Sequence, residues 1–165
     1  KNIRNLTYII RLILYRVHSL ITAFLTAIAL TTAVLCLCGI RMYVVQTGSM
    51  EPVITVDSIC FVNRNVSFDE IQTGDIIAFQ VGNTAVTHRV VRITEAGLTT
   101  KGDANNTEDA GSVTAEHLIG KTVCCVPGLG FLIRFMRTKT GSIITISVYS
   151  ILMLLNLVLE KPTKE

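Results

Sequence analysis

Ser49 stands in Thr47-Gly48-Ser49-Met50-Glu51-Pro52, a few residues after a long apolar run ends. Gly48 admits backbone dihedrals that a side chain would forbid. Pro52 stiffens the exit, because its ring fixes φ and removes an N–H donor. A serine hydroxyl is a weak nucleophile at neutral pH and needs a base to take its proton. Between Arg41 and Thr140 the bases on offer are His88, His117, Lys101, Lys121 and Lys139. A histidine base works best when a carboxylate orients its far nitrogen and stabilises the imidazolium. Asp103 and Asp109, in the polar loop Gly102 to Gly111, are the candidate acids. The serine lacks the GxSxG elbow of α/β-hydrolases, and no alternating helices follow it. Spacing alone leaves both the base and the acid open.

Each of these residues also has an ordinary structural role. His88 lies mid-strand in Thr87-His88-Arg89, where alternation puts it on one face with Val90 and Arg92. His117 sits at the edge of a strand, beside Leu118. Asp103 reads equally as an Asx-type turn cap, and Asp109 as a solvated loop acid.

Two apolar runs frame the segment that holds these groups. Ser19 to Ile40 is free of charge over 22 residues, about 33 Å as a helix, which is spanning length. Gly141 to Leu159 is uncharged over 19 residues. Half of the chain is hydrophobic and 16% is charged. The net charge of +3 comes from the ends, because residues 41–140 carry nine Lys/Arg against ten Asp/Glu. That near-neutral middle argues against nucleic acid as a partner. Lys1, Arg4, Arg11 and Arg16 precede the first run, so the positive-inside tendency puts the N-terminus in the cytoplasm and the middle outside. Arg134, Arg137 and Lys139 flank the second run on the outer side, against that tendency. The first run is too long for a typical signal-peptide core, so a retained anchor is expected. Asn2 to His18 has the character of an amphipathic helix on the membrane surface, or of a plain extension of the span.

Between the runs the chain reads as short strands and turns. Strands are expected over Ser58–Val62, Ile76–Val81, Ala85–Thr94, Leu98–Lys101 and Leu118–Val126, with a hairpin at Gly82-Asn83. No useful helical period appears over 45–126. Cys60, Cys124 and Cys125 make a poor disulfide framework, and no spacing suggests zinc. They are expected as small apolar residues. The architecture is thus a membrane-anchored, mainly β protein. A cytoplasmic basic or amphipathic segment (1–18) leads to a first transmembrane helix (19–40). An extracytoplasmic all-β domain (41–140), a second transmembrane helix (141–159) and a cytoplasmic tail (160–165) follow.

Four blocks carry a family resemblance. They are Thr47-Gly48-Ser49-Met50-Glu51-Pro52, Gly74-Asp75-Ile76-Ile77-Ala78-Phe79, Thr87-His88-Arg89-Val90, and Lys101-Gly102-Asp103-Ala104-Asn105 with Asp109. In this order the chain resembles type I signal peptidases of the endoplasmic-reticulum type, the subclass also found in archaea and some Gram-positive bacteria. The resemblance implies a signal-peptidase-like catalytic domain and a multi-pass membrane serine endopeptidase, lumenal in a eukaryote. Its implied partners are the bilayer, preprotein signal peptides and, in some members, accessory subunits. No cofactor or metal is implied. Ser49 matches the nucleophile, and His88 stands where the ordinary bacterial subclass has a lysine base. Asp109 matches the acid of the triad, and Asp103 a second, supporting acid. Thr47 and Gly48 fall where the family positions the oxyanion, with Thr47 in a place where many members have serine. A catalytically inactive, membrane-anchored β-domain serving as a binding or accessory subunit is the alternative from another class.

Overall fold

The structure is a computed structural model that describes residues 2–158. It divides into two units, 35–134 and the helical remainder. In the helical unit, α1 (Asn2–Leu37) runs unbroken, so residues 2–18 and the run from Ser19 to Leu37 are one helix. Its stretch Tyr8–Leu37 is long and apolar enough to cross a membrane. The helix stops before Ile40 because Gly39 turns the chain at φ +78. A Cβ there would lie 2.3 Å from Asn65 Oδ1, while Asn65 Nδ2 donates to the Cys38 carbonyl. A glycine in the left-handed conformation after the last turn is a common way to end a helix.

After a short helix α2 (Gly130–Arg137), α3 (Lys139–Val158) carries the second apolar run. Thr138 caps α3: its hydroxyl accepts from Gly141 N–H and donates to the Phe135 carbonyl. Within this unit Tyr149 OH lies 3.2 Å from Thr26 Oγ1 of α1. Among the described residues, the second run reaches spanning length and apolarity only when α2 and α3 are taken together as one broken span. The expected end of that span at Leu159 and the tail 160–165 lie outside the described residues.

The other unit is a six-stranded antiparallel sheet. Its strands are β1 (Ile40–Val44), β2 (Ile59–Asn63), β3 (Ile76–Val81), β4 (Thr84–Thr94), β5 (Gly97–Lys101) and β6 (Leu118–Val126). Their order across the sheet is β1-β2-β6-β3-β4-β5. The β-branched runs form the expected strands, and Gly82-Asn83 turns β3 into β4 in register. Ile77, Ala78 and Phe79 of β3 are buried in succession, so both faces of this central strand are covered. One core cluster gathers Ile71, Ile77, Phe79, Val90, Leu98 and Val113. A second gathers Met50, Ile54 and Cys60 against Val45, Ile76 and Cys125.

Four expectations are corrected here. The segment 41–140 is not all β: Gly130–Arg137 is helical, with apolar residues at helical spacing beyond residue 126. The first span does not extend to Ile40, which opens β1. Cys60 and Cys125 are not merely small apolar residues, because they face each other across β2 and β6 and form a disulfide. Arg92 does not share the buried face of His88 and Val90. The β4–β5 register shifts between Val90 and Arg92, a bulge that re-aims the side chains beyond it, and Arg92 is exposed.

Candidate active site

Ser49 enters from a turn between β1 and β2. Met50, the residue after it, is 1% exposed in the second core cluster and acts as its root. The turn closes through Glu51 N–H to the Gly48 carbonyl and Ile54 N–H to the Met50 carbonyl. Gly48 does not take a positive φ among the glycines that do. Its lack of a side chain instead leaves room for the Glu51 carboxyl group, which lies 3.2 Å from where a Cβ would be. The Glu51–Pro52 peptide is cis.

His88 projects from the middle of β4, opposite Ile77 of β3, and is 8% exposed. Its Nε2 lies 3.0 Å from Ser49 Oγ and its Nδ1 lies 2.6 Å from Asp109 Oδ2. Phe79 packs edge-on to the ring, with centroids 6.2 Å apart. Asp109 reaches this position because its N–H donates to the Thr100 carbonyl, which extends the β5 edge. The Thr100 hydroxyl donates to the same Asp109 Oδ2 at 2.7 Å. A carboxylate with two donors, an imidazole and a hydroxyl is thus aligned in a nearly buried row. That arrangement favours the imidazole tautomer with its proton on Nδ1, leaving Nε2 to accept from the serine.

Asp103 is placed elsewhere. Its carboxylate receives Arg89 Nε at 2.8 Å and Nη2 at 2.7 Å, and Arg89 Nη1 also donates to the Gly74 carbonyl. The Asp103 pair raises the Arg89 guanidinium further above its ordinary pKa, against the opposing effect of burial. The loop beginning at Gly102 touches Ser49 directly. Ala104 N–H donates to the Ser49 carbonyl at 2.9 Å, and a Cβ on Gly102 would sit 2.6 Å from that oxygen. Thr47 Oγ1 lies 3.5 Å from Ser49 Oγ, beside the hydroxyl but at the long limit of a hydrogen bond.

The other candidate bases are engaged differently. His117 Nδ1 lies 2.9 Å from Thr114 Oγ1. Lys121 Nζ pairs with Asp75 at 2.8 Å. Lys101 stands opposite Arg89 in the β4–β5 ladder. A cleft of about 480 Å³ opens beside His88 and Asp109, walled by Phe79, Val86, Val113 and His117.

Residue-by-residue reading of the sequence overlooked Thr100 and Arg89 as contributors. Arg89 directly follows His88, and its charge inside a half-buried strand is a usable signal. Thr100 is one of two adjacent threonines and gave none.

A serine, an imidazole and a carboxylate in hydrogen-bonded sequence define the constellation of a serine hydrolase, carried here on an antiparallel sheet. Residues 17–128 match the family described as signal peptidase, peptidase S26, and the chain belongs to that family. It is 41% identical over 85 residues to signal peptidase I W of Bacillus subtilis (strain 168), covering 48% of this chain and 45% of that one. It is 34% identical over 103 residues to the signal peptidase complex catalytic subunit SEC11 of Colletotrichum graminicola, covering 54% of this chain and 59% of that one. The SEC11 of Sclerotinia sclerotiorum is 33% identical over a match of the same length. The chain spans about half the length of the curated relatives it matches. This kinship agrees with the endoplasmic-reticulum-type resemblance carried by the four sequence blocks.

Proposed function

We propose that the protein is a membrane-bound serine endopeptidase that removes signal peptides from exported preproteins. Ser49 is the nucleophile, His88 the general base, and Asp109 the group that orients and stabilises the imidazole. The observation that carries this reading is the row Ser49 Oγ, His88 Nε2, His88 Nδ1, Asp109 Oδ2, with separations of 3.0 and 2.6 Å, in a chain of the signal peptidase family.

The chemistry follows from that row. His88 Nε2 takes the serine proton as Oγ attacks the scissile carbonyl. The imidazolium then gives this proton to the leaving amine, and water repeats the cycle on the acyl-enzyme. Thr47 and the Ser49 N–H are the groups proposed to hold the oxyanion, since donors aimed at developing charge supply much of such catalysis. Asp103, clamped by Arg89, supports the loop that holds the Ser49 carbonyl.

The substrate segment binds extended beside the strands that carry Ser49 and His88, through backbone hydrogen bonds. Small pockets select small residues at an Ala-x-Ala-like site. The α1 stretch Tyr8–Leu37 anchors the chain, with the N-terminus cytoplasmic and residues 41–140 outside, or in the lumen of a eukaryote. α3 returns the chain across the membrane. Preproteins are the partners, with accessory subunits in the manner of a complex, as the SEC11 relatives are named.

The test is cleavage of a preprotein in detergent or liposomes by wild type beside Ser49→Ala and His88→Ala, with the product's new N-terminus sequenced. Each variant should lose cleavage. Full activity in either would sink the mechanism, and no cleavage by wild type under any condition would favour the inactive accessory domain.

A further inference from the structure

Helix α2 is amphipathic with its faces reversed. Its apolar stripe is Phe131, Leu132, Phe135 and Met136, which share one side at helical spacing. These residues are 60%, 47%, 45% and 38% exposed. The opposite side holds the contacts. Gly130 is buried, its N–H donates to the Asp57 carbonyl, and a Cβ there would lie 2.8 Å from that oxygen. One turn on, the Arg134 guanidinium pairs with the Asp57 carboxylate. A helix at the surface of a water-soluble domain points its apolar stripe inward, whereas α2 turns Gly130 and Arg134 toward Asp57 and leaves its phenylalanines exposed.

We propose that this outward face lies in the headgroup and upper acyl region of the bilayer, as an interfacial helix beside the sheet domain. It rests on the reading that the chain is membrane-anchored. The occupant follows from the chain itself. After Thr138, α2 is continued by α3, whose residues from Gly141 onward carry no charge. Arg137 and Lys139, at this junction, suit lipid phosphates. A second copy of the chain fits less well. Eight residues make a helix of about 12 Å, and one face of it falls far short of the roughly 800 Å² per partner of a stable interface.

The placement also bears on the positive-inside tendency. Arg134 is spent on Asp57, and Arg137 and Lys139 act as interfacial residues, so none of them marks a cytoplasmic loop. Asp57 further ties α2 to the nucleophile's turn. Its N–H donates to the Val45 carbonyl, and it ends the segment that begins at Ser49. The same turn exposes Val53 and Val56. The depth of α2 in the interface is therefore handed on to the turn that presents Ser49.

The chain has no tryptophan, so single tryptophans report without background. Phe131→Trp and Leu132→Trp are placed in the full chain in proteoliposomes with lipids brominated either near the headgroup or near the chain end. Val81→Trp, in the β3–β4 hairpin, and Phe24→Trp, within α1, are the references. Both α2 probes should be quenched several-fold more by the shallow bromines than by the deep ones. Val81→Trp should respond to aqueous iodide only, and Phe24→Trp to bromolipid. Phe131→Trp and Leu132→Trp open to iodide and blind to both lipids would overturn the proposal. So would strongest quenching by the deep bromines, which marks a crossing segment, or shielding from iodide without bromine quenching, which marks a protein partner. Loss of bromolipid quenching at Phe24→Trp would instead break the anchoring reading itself.

Discussion

Arg89 grips Asp103 with two parallel hydrogen bonds of 2.8 and 2.7 Å from the strand position next to His88. One residue beyond Asp103, Ala104 N–H holds the Ser49 carbonyl. The strand of His88 and the turn of Ser49 are thus joined through a charged pair that touches neither the serine hydroxyl nor the imidazole. Bidentate arginine–carboxylate pairs fix geometry as well as energy.

Asp103→Asn should therefore act on catalysis through position. The variant keeps one acceptor for Arg89 but loses the charge, which costs about 1.5–3 kcal/mol for a hydrogen bond to a charged group. A small displacement of a reacting group is worth up to about 100-fold in rate, so kcat should fall by about 10- to 100-fold with KM little changed. Asp103→Glu should recover less than Arg89→Lys loses if fork geometry matters. Steady-state cleavage of a preprotein at several concentrations separates kcat from KM, and an unchanged kcat in Asp103→Asn would reject the positioning role.

Asp109→Asn should be far more damaging than its neighbour Glu108→Gln. Asp109 receives both the His88 ring and the Thr100 hydroxyl, whereas Glu108 pairs with Arg92 on an exposed edge, with side chains 44% and 58% accessible. Losing the orienting carboxylate of such a triad costs up to about 10⁴ in kcat. An exposed ion pair contributes between zero and about 1 kcal/mol of stability. Cleavage rates of the two variants side by side check this, and equal losses would remove Asp109 from its proposed role.

The contrast between these two acids marks what the sequence could carry. Strand positions were legible wherever β-branched residues alternate between turn signals, as in Ile76–Val81 and its Gly82-Asn83 turn. Ile40–Val44 was not, because an apolar strand directly after an apolar helix gives no change in composition. The acid was not legible from spacing either. Asp103 and Asp109 lie six residues apart in one polar loop, and their fates diverge only because Asp109 pairs its backbone onto Thr100 while Asp103 meets Arg89. The resemblance, not the spacing, singled out Asp109. The disulfide was hidden by the adjacency of Cys124 and Cys125: only the pairing of β2 with β6, across a separation of 65 residues, decides which of them faces Cys60.

Asp75 gives the fold a pH signature. Burial pushes its carboxyl pKa up, but the Lys121 ammonium, through its hydrogen bond and its charge, and the Gln72 N–H outweigh this and hold it below the ordinary 3.8. A carboxyl whose folded pKa is depressed adds stability that is present above the unfolded value and lost as pH falls through the folded one. Asp75→Asn should therefore be less stable than wild type at neutral pH by up to about 1 kcal/mol, since Lys121 is partly exposed and its pairing is screened. The gap should close below the depressed folded pKa. Thermal melts in detergent from neutral to strongly acid pH check this, and a gap that widens in acid would reverse the sign.

The Cys60–Cys125 disulfide joins β2 to β6 beneath the turn that carries Ser49, because both sulfurs belong to the cluster that buries Met50 and Ile54. Removing a native disulfide from a small domain costs about 2–5 kcal/mol, chiefly by freeing the unfolded chain. Spread over a unit of this size, that is a fall of about 8–40 °C in melting temperature. The sulfurs touch none of Ser49 Oγ, the His88 ring or the Asp109 carboxylate, whose hydrogen bonds run along β4 and β5. A Cys60→Ala/Cys125→Ala double variant should therefore melt earlier while keeping kcat within about tenfold well below its transition. Reducing agent should lower the wild-type transition toward that of the double variant and leave the variant itself unmoved. Thermal melts with and without reductant, read beside cleavage at low temperature, test both halves. A variant that melts like wild type would show that the bond adds nothing to the fold, and one that stays folded but loses cleavage would tie the disulfide to the geometry of Ser49.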